Sequence, residues 1–486
     1  MKKYNRKSKT YRFRIIAIFF DRWHWVLLVI AAPFLIFPSP SRSLALIVIP
    51  GLWIIACLAG RNEPLPRTPL NASLLLMFCM VLVSLWSTFD LAYSLSKISG
   101  MVLGIGVFFA VAHEAKHPNG FGLSLLLFLG CGLGIATLGV FGTSWFNSKI
   151  TLFDPVIARL PRFIMGFQGA ESGFHPNEVA GALIWVLPLM ITICIALFSF
   201  QRINKNKETI AQRKGWLVIL SGWRLTVVTI LFLVVTFFVC MVFLLSQSRG
   251  GYIGLALTLL LLILIALPRK LRFYSLIVLL VFGLILGFLV ASRWESVRIW
   301  ISGNNLAADP ALSLNTLEGR LEIWSRAIYG IQDFPFTGMG MNAFRKVVPV
   351  LYPLFSIAPD IDIGHAHNEF LQAALDLGIP GLIAFVGLYI GTILMLVEVW
   401  RTTRLHQTND GYESVVTRCF VFGLGGGLIA HLLYGLTDTV ALGAKPGLLF
   451  WILLGLIAGL YGQKQAVCRD GNSCTPTNTV GIGLNE

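Results

Sequence analysis

The sequence predicts an all-α polytopic membrane protein with about twelve transmembrane helices and a large extracytoplasmic loop that contains short helices. Three observations support this fold class. Hydrophobic residues make up 56% of the 486-residue chain and charged residues only 13%, which lies outside the usual range for soluble domains. Apolar runs long enough to cross a bilayer recur along the chain. Lys and Arg concentrate in the short connections between them.

Each predicted span is an apolar run that forms a helix in lipid, because only a helix pairs all of its backbone polar groups internally. The first run is short and follows a basic stretch, which also fits a signal peptide, but no convincing small-residue cleavage site follows it. We therefore count it as a span. The runs lie near residues 24–37, 43–60, 70–87, 94–113, 120–141, 176–200, 225–245, 250–267, 271–291, 378–400, 417–436 and 444–462.

Basic loops predict the orientation of these spans. The N-terminal segment 1–23 is strongly basic, and further Lys and Arg clusters surround Arg61, Arg202, Arg269 and Arg401. All of them fall on one side of the membrane in the twelve-span arrangement, so that side and both termini are expected to be cytoplasmic. The formal net charge of +15 is therefore explained by topology, and we expect no nucleic-acid partner.

The chain divides into five regions by hydropathy. Two outer connections are long, residues 142–175 and 292–366, and long ordered loops often carry function. The polar composition from Gln463 onward predicts disorder. The regions are a basic cytoplasmic N-terminus (1–23), transmembrane helices 1–9 (24–291), a large periplasmic loop (292–366), transmembrane helices 10–12 (367–462) and a disordered cytoplasmic tail (463–486).

A polar cluster at residues 364–389, GHAHNEFLQAALDLGIPGLIAFVGLY, contains the first candidate for chemistry. It runs into a helix interrupted by Gly378-Ile379-Pro380-Gly381 and places His367 at a membrane entrance. An imidazole is suited to take a proton from a hydroxyl near neutral pH. The alternative is that His365 and His367 are ordinary interfacial polar residues.

Two segments offer arginines that can bind phosphate. The turn around Arg249 has glycine neighbours and no acidic residue nearby, so its guanidinium can pair with phosphate oxygens, or can simply reach lipid headgroups. In the long loop, residues 317–340 predict an amphipathic helix that ends at Asp333. Glu322 and Arg326 are four apart and can pair on its surface, so Arg320 is the preferred substrate contact.

Three further groups of polar residues leave alternatives open. Asn177, at the start of a span, can cap that helix or bind a sugar hydroxyl, and capping is favoured by propensity. Asp360, Asp362, His365 and His367 can together ligate a divalent ion, although such loop clusters are more often solvated. Acidic residues in the spans appear near helix ends, which argues against a proton-coupled transporter.

These segments resemble the O-antigen ligase superfamily, which includes lipopolysaccharide O-antigen ligases and O-antigen or exopolysaccharide polymerases. The ligase signature is His, then Asn, Ser or Gln, nine residues, and Gly-x-x followed by Gly, Thr or Tyr. His367-Asn368, the nine residues after them and Gly378-Ile379-Pro380-Gly381 match it throughout. Other segments that resemble the family, in its usual order, are Pro176-Asn177, Ser248-Arg249-Gly250, Arg320…Trp324 and Pro335…Gly338-x-Gly340.

The resemblance implies an inverting, metal-independent glycosyltransferase that needs no cofactor. Its donor would be a glycan linked to undecaprenyl diphosphate, and its acceptor a lipid or glycan hydroxyl, lipid A-core in the ligase. His367 would be the base and Arg249 and Arg320 would bind the diphosphate. The supporting candidates are Asn177, His365, Asn368 and Arg326.

The same resemblance implies a multi-pass protein of the inner membrane, surrounded by membrane lipids, with its active site facing the periplasm or cell exterior. An O-antigen or exopolysaccharide polymerase is the alternative to a ligase. A lipid-linked glycan flippase is a further hypothesis from another class, and it would not need His367.

Overall fold

The computed structural model describes residues 66–145, 150–161, 173–205, 223–293, 317–355, 361–405, 411–440 and 442–470, together with residues 51, 163 and 357. Over these residues the chain is helical, and the only β feature among them is an isolated bridge between Thr143 and Phe174. The all-α polytopic fold class is confirmed.

Thirteen α-helices are described, and two short 3₁₀ turns, Thr151–Phe153 and Lys445–Gly447, precede α4 and α13. The helices are α1 (Asn71–Ser87), α2 (Leu91–Glu114), α3 (Pro118–Gly142), α4 (Asp154–Ile157), α5 (Pro176–Lys205), α6 (Trp223–Leu245), α7 (Arg249–Ala266), α8 (Arg269–Ser292), α9 (Leu317–Asp333), α10 (Phe344–Leu351), α11 (Glu369–Leu405), α12 (Gly411–Tyr434) and α13 (Leu448–Asp470).

Nine of the described helices are long and apolar enough to cross a membrane, namely α2, α3, α5 to α8 and α11 to α13. Each coincides with a predicted span. The predicted span 70–87 corresponds to α1, an apolar helix of 17 residues. The predicted spans 24–37 and 43–60 lie outside the described residues, so the described part of the chain accounts for ten of the twelve.

The centre of the bundle is formed where α12 packs directly against α5. A Cβ atom added to Gly427 would lie 2.2 Å from the carbonyl oxygen of Trp185, so any larger residue would force the two backbones apart. Small residues permit this close approach between helices in lipid, where hydrophobicity alone does not drive helices together. The packing brings the start of α5 to the end of α12.

Two hydrogen bonds define the opposite ends of the bundle. At one end, Asn177 at the start of α5 bonds Asp438 just after α12. At the other end, Gln463 in α13 donates to the carbonyl of Ala115, which follows α2, at 2.7 Å. The starts of α5, α7 and α11 and the end of α12 therefore gather at one end, called here the site end.

The helix α11 differs from the predicted span 378–400, because it begins at Glu369. The Asn368 side chain explains this start, since its Oδ1 accepts the backbone N–H groups of Phe370 and Leu371, each at 3.0 Å. The predicted interruption is confirmed at Gly378, whose backbone is non-helical with φ 69° and ψ 179°. The 35-residue stretch Glu369–Thr403 therefore consists of two helical segments that meet at Gly378 and is not one straight span.

The long loop contains two short helices, α9 and α10, as predicted. The helix α9 ends at Asp333, and Glu322 pairs with Arg326 at 3.3 Å, both as expected. Its buried face consists of Ile323 and Ala327, whereas Leu321 and Ile328 on the predicted apolar stripe are exposed.

The polar tail begins later than the sequence suggested. The helix α13 continues through Gln463 to Asp470, so the first part of the predicted disordered segment 463–486 is helical. The remainder, residues 471–486, lies outside the described part of the chain.

Candidate active site

The candidate active site lies at the site end, where three segments distant in sequence meet at Asp438. The Nδ1 atom of His367 lies 3.2 Å from Asp438 Oδ1, and the Asn177 side-chain amide donates to Asp438 Oδ2 at 2.7 Å. The backbone N–H of Thr439 also donates to Oδ1, at 2.9 Å. Both carboxylate oxygens are thereby engaged, and the carboxylate is held in one orientation.

The electrostatic surroundings keep Asp438 ionised. Burial alone would raise the pKa of this carboxyl, but its hydrogen bond with His367 and its electrostatic interactions with His367, His365 and Arg320 together hold the pKa below its ordinary value of 3.8. An ionised carboxylate only accepts hydrogen bonds, so the Nδ1 of His367 must be the donor. In the tautomer that carries its proton on Nδ1, the ring lone pair is on Nε2, for which no hydrogen-bond partner is found among the described residues.

The backbone of His367 is strained at the same point. Its φ of 48° places a non-glycine residue in the left-handed region, at a cost on the order of 1 kcal/mol or more. Strain of this kind persists only where the surroundings impose it. Here Asn368 donates to the carbonyl of Leu436 at 3.1 Å, and the N–H of Glu369 donates to the carbonyl of Gly435 at 2.7 Å.

His365 lies beside His367, with 4.4 Å between the ring centroids. Burial, reinforced by the neighbouring His367, lowers the pKa of His365 to about 3, so this imidazole is neutral near neutral pH. Its Nδ1 accepts the backbone N–H of His367 at 3.3 Å. His365 therefore supports the turn that carries the candidate base.

Arg320 reaches the same centre from α9. Its Nη1 donates to the carbonyl oxygen of Thr437 at 2.5 Å, next to Asp438. Its Nε is buried and has no hydrogen-bond partner among the described residues. A buried guanidinium nitrogen without an acceptor is costly, and it leaves a donor for a bound anion.

Arg249 is the first residue of α7, which begins close to Thr437. The adjacent Gly250 faces Thr437, since an added Cβ would lie 2.5 Å from its Oγ1. Ser248 caps the helix by accepting the N–H of Gly251 at 3.3 Å. Arg249 itself is exposed, and no ion pair to it is found in the described part of the chain. The segment that carries Arg249 therefore approaches the same residue that the Arg320 side chain contacts.

Three supporting candidates take roles other than direct chemistry. Arg326 pairs with Glu322 and donates to the carbonyl of Pro353 at 2.9 Å, away from Asp438. The capping role favoured for Asn177 is wrong, because its amide nitrogen binds Asp438 and its Oδ1 accepts no hydrogen bond from the described residues. Asn368 caps α11 and fixes the turn after His367.

The atoms that can hold a metal ion differ from the predicted set. His365, His367 and Asp438 each offer a ligand atom, and these atoms lie within 4.8 Å of one another. Asp362 instead pairs with Arg345 at 3.0 Å and is largely exposed, while Asp360 lies outside the described residues. Two imidazoles and a carboxylate can ligate a divalent ion, but a metal would have to replace the hydrogen bond between His367 and Asp438.

Sequence reasoning missed Asp438 and underestimated buried charge. In the sequence, Asp438 is one of several acidic residues near the ends of spans, and the only signal for its role is that it follows a span on the side of His367. Glu369 and Asp376 lie in α11 and are only 3% and 2% exposed. Glu369 pairs with His431 at 3.2 Å. The expected scarcity of buried carboxylates is therefore wrong and no longer argues against transport.

The fold and the site define a polytopic membrane protein whose reactive side chains gather at one end of its helix bundle. Residues 232–386 match the family model described as O-antigen ligase, and this match supports the resemblance to the O-antigen ligase superfamily. The matched segment contains Arg249, Arg320 and His367, whereas Asn177 and Asp438 lie outside it. A comparison with curated proteins gave no match.

Proposed function

We propose that the protein transfers a glycan from an undecaprenyl-diphosphate carrier to an acceptor hydroxyl on the periplasmic face of the inner membrane. In the ligase reaction, which we favour, the acceptor is lipid A-core. The family match supports the coarser activity, a membrane glycosyltransferase of O-antigen ligase or polymerase type. The observation that carries the proposal is the pair of His367 and Asp438, which leaves His367 Nε2 available, while Arg320 binds the carbonyl of Thr437, the residue before Asp438.

The proposed reaction is a direct displacement. His367 Nε2 takes the proton of the acceptor hydroxyl, and the acceptor oxygen forms a bond to the anomeric carbon of the donor. The bond between that carbon and the diphosphate oxygen breaks at the same time, and its electron pair leaves with undecaprenyl diphosphate. Attack opposite the leaving group inverts the anomeric centre. Asp438 stabilises the imidazolium that forms and fixes the ring orientation.

The two arginines support departure of the diphosphate. A guanidinium pairs with phosphate oxygens through two parallel hydrogen bonds, which the single ammonium of lysine does not reproduce. Arg320 has an Nε without a partner among the described residues, and exposed Arg249 directly precedes Gly250, which faces Thr437. Positive charge placed where the leaving group develops its negative charge lowers the barrier more than charge placed elsewhere.

The reaction needs no nucleotide, because the donor already stores the energy in its phosphate linkage. We also propose that it needs no metal, since the imidazole and the arginines together can perform the proton transfer and charge stabilisation. The alternative is a divalent ion held by His365, His367 and Asp438. Chelation distinguishes these two mechanisms.

The test compares release of undecaprenyl diphosphate from a lipid-linked glycan by purified wild type, His367→Ala and Arg249→Ala, each with and without EDTA. We expect a loss of at least about 100-fold in His367→Ala, a loss in Arg249→Ala, and no effect of EDTA on the wild type. Undiminished release in both variants would overturn the site assignment. Activity lost with EDTA and restored by added metal would overturn the metal-free mechanism.

Matched controls come from the opposite end of the bundle. His117 is an exposed residue before α3, and Arg269 is an exposed residue at the start of α8, so His117→Ala and Arg269→Ala should behave as wild type.

A second experiment, in which lipid A-core is supplied, identifies the acceptor. A ligase forms a conjugate with it, whereas a polymerase lengthens the lipid-linked glycan without it. Transport of the donor without release of undecaprenyl diphosphate would instead indicate a flippase.

A further inference from the structure

A buried chain of hydrogen bonds connects the turn that carries His367 to the first part of α11. The proposed reaction does not use these bonds. The backbone N–H of Ala366 donates to Gln372 Oε1 at 2.9 Å, and Gln372 Nε2 donates to Asp376 Oδ1 at 2.9 Å. All three residues are buried. Gln372 and Asp376 lie one turn apart on the first part of α11, before its break at Gly378.

Asp376 also connects this chain to the loop segment that enters the break in α11. Its Oδ1 accepts the backbone N–H of Asn342 at 3.3 Å, and the side chain of Asn342 donates to the carbonyl of Tyr93 in α2 at 3.3 Å. In the same loop segment as Asn342, the backbone N–H of Met339 donates to the carbonyl of Leu375 at 2.7 Å. Asp376 Oδ1 therefore connects α11 to the loop that contains Asn342, and Asn342 in turn connects that loop to α2.

The direction of these bonds fixes the orientation of the Gln372 amide. Because Asp376 Oδ1 accepts hydrogen bonds, Gln372 must present its NH₂ group to Asp376, and its oxygen then points to Ala366. A reversed amide would place two donors against each other at Ala366. The carboxylate thus determines which atom meets the turn, although it lies ten residues beyond Ala366 in sequence.

The anchored residue directly precedes the strained one. His367 has a φ of 48°, and Ala366 is fixed on one side of it while Glu369 is fixed to Gly435 on the other. A strained backbone relaxes when one of its constraints is removed. Loss of the hydrogen bond to Ala366 would let the turn relax. The imidazole of His367 would then move away from Asp438.

We propose that Gln372 and Asp376 are positioning residues that hold His367 against Asp438 through the backbone of Ala366. This inference rests on the proposed role of His367 as the base. Neither residue contacts Asp438 or Arg320 in the described structure, so their loss should alter the proton transfer and leave donor binding intact.

The test measures kcat and donor KM for Gln372→Met, which keeps the side-chain volume and removes both hydrogen bonds. We expect kcat to fall about 10- to 100-fold, as small displacements of a catalytic group do, with KM within twofold of wild type. Gln463→Met is the matched control, because it removes a glutamine hydrogen bond to a backbone carbonyl at the opposite end. A normal kcat, or an effect on KM alone, would overturn the proposal.

A double-mutant comparison separates positioning from general stability. If Gln372 acts through the contact between His367 and Asp438, Gln372→Met should cost much less in an Asp438→Asn background than in the wild type. An equal cost in both backgrounds would indicate that the glutamine only stabilises the fold, and would overturn the proposal.

The Asp376 pair covers the case in which Gln372→Met does not fold. Asp376→Asn keeps an Oδ1 that accepts both N–H groups and should retain kcat within about fivefold, whereas Asp376→Leu removes the acceptor and should lose about 10- to 100-fold. Equal losses in the two would exclude the hydrogen-bond chain as the cause. If His367→Ala loses activity while the Gln372 and Asp376 variants keep normal kcat, the positioning proposal is refuted and the proposed function stands. If His367→Ala keeps full activity, the proposed function itself is refuted.

Discussion

Asn177 and Asp438 lie 261 residues apart in the chain, yet the amide of one donates a 2.7 Å hydrogen bond to the carboxylate of the other. The contact ties the start of α5 to the turn after α12, at the point where His367 approaches the same carboxylate. Asp438 therefore has a donor on each oxygen, Asn177 on Oδ2 and both Thr439 and His367 on Oδ1. Its replacement by a residue with one oxygen cannot satisfy them all.

Asp438→Asn should reduce glycan transfer by about 100- to 10,000-fold, as loss of the orienting carboxylate does in other histidine bases. In either amide orientation the new NH₂ group faces one of the donors, and the imidazolium loses its counter-charge. The measurement is kcat of the purified variant. Asp333→Asn, at the exposed end of α9, is the control and should match wild type. Comparable rates in both variants would remove Asp438 from the site.

Arg320→Lys should lower kcat/KM for the lipid-linked donor by about 10- to 100-fold, because a lysine cannot reproduce the guanidinium fork on phosphate. Arg326 provides a close comparison, since it lies on the same helix and pairs with Glu322 instead of reaching Thr437. Arg326→Lys should stay within twofold of wild type. Steady-state kinetics with varied donor check this, and equal effects would contradict the assignment of Arg320.

Gly378→Ala should destabilise the folded protein by at least about 2 kcal/mol, since the position needs a positive φ and has no room for a side chain. Its φ is 69°, and an added Cβ would lie 2.5 Å from the carbonyl oxygen of Phe336. Thermal unfolding in detergent measures the effect. Gly283→Ala on α8, where nothing lies within 4 Å, should leave the melting temperature unchanged or raise it. A harmless Gly378→Ala would show that the break is not required.

The pH dependence of stability should report on His365. Burial and the neighbouring His367 lower its pKa to about 3 in the folded protein, while the ordinary value in an unfolded chain is about 6.5. As pH falls below about 6.5, the unfolded chain takes up a proton that the folded protein refuses, so stability declines from there toward pH 3.

His365→Gln should therefore lose less stability than wild type between about pH 7 and about pH 5. Melting temperatures in detergent, followed by tryptophan fluorescence across this range, give the slope. His117→Gln, at the exposed residue before α3, should keep the wild-type slope. The same slope in all three proteins would mean that His365 takes up its proton in the folded state.

Local features of this protein could be predicted because they depend on residues close together in sequence. The apolar run expected at 225–245 is the helix Trp223–Leu245, and the Gly378 break and the helix end at Asp333 are where the residues indicated. The pair of Glu322 and Arg326 follows from helical spacing alone. The signature around His367 likewise pointed to the family that matches residues 232–386.

The tertiary structure alone decided which polar groups meet. In a membrane, helix faces toward lipid and toward other helices are both apolar, so the hydropathy pattern does not reveal which helices are neighbours. For that reason no sequence pattern indicated that His367 and Asn177 meet at Asp438, or that Gln372 and Asp376 support the turn before α11. The sequence by itself determined the spans and the candidate base, and the packing of α5 against α12 decided the partner that orients it.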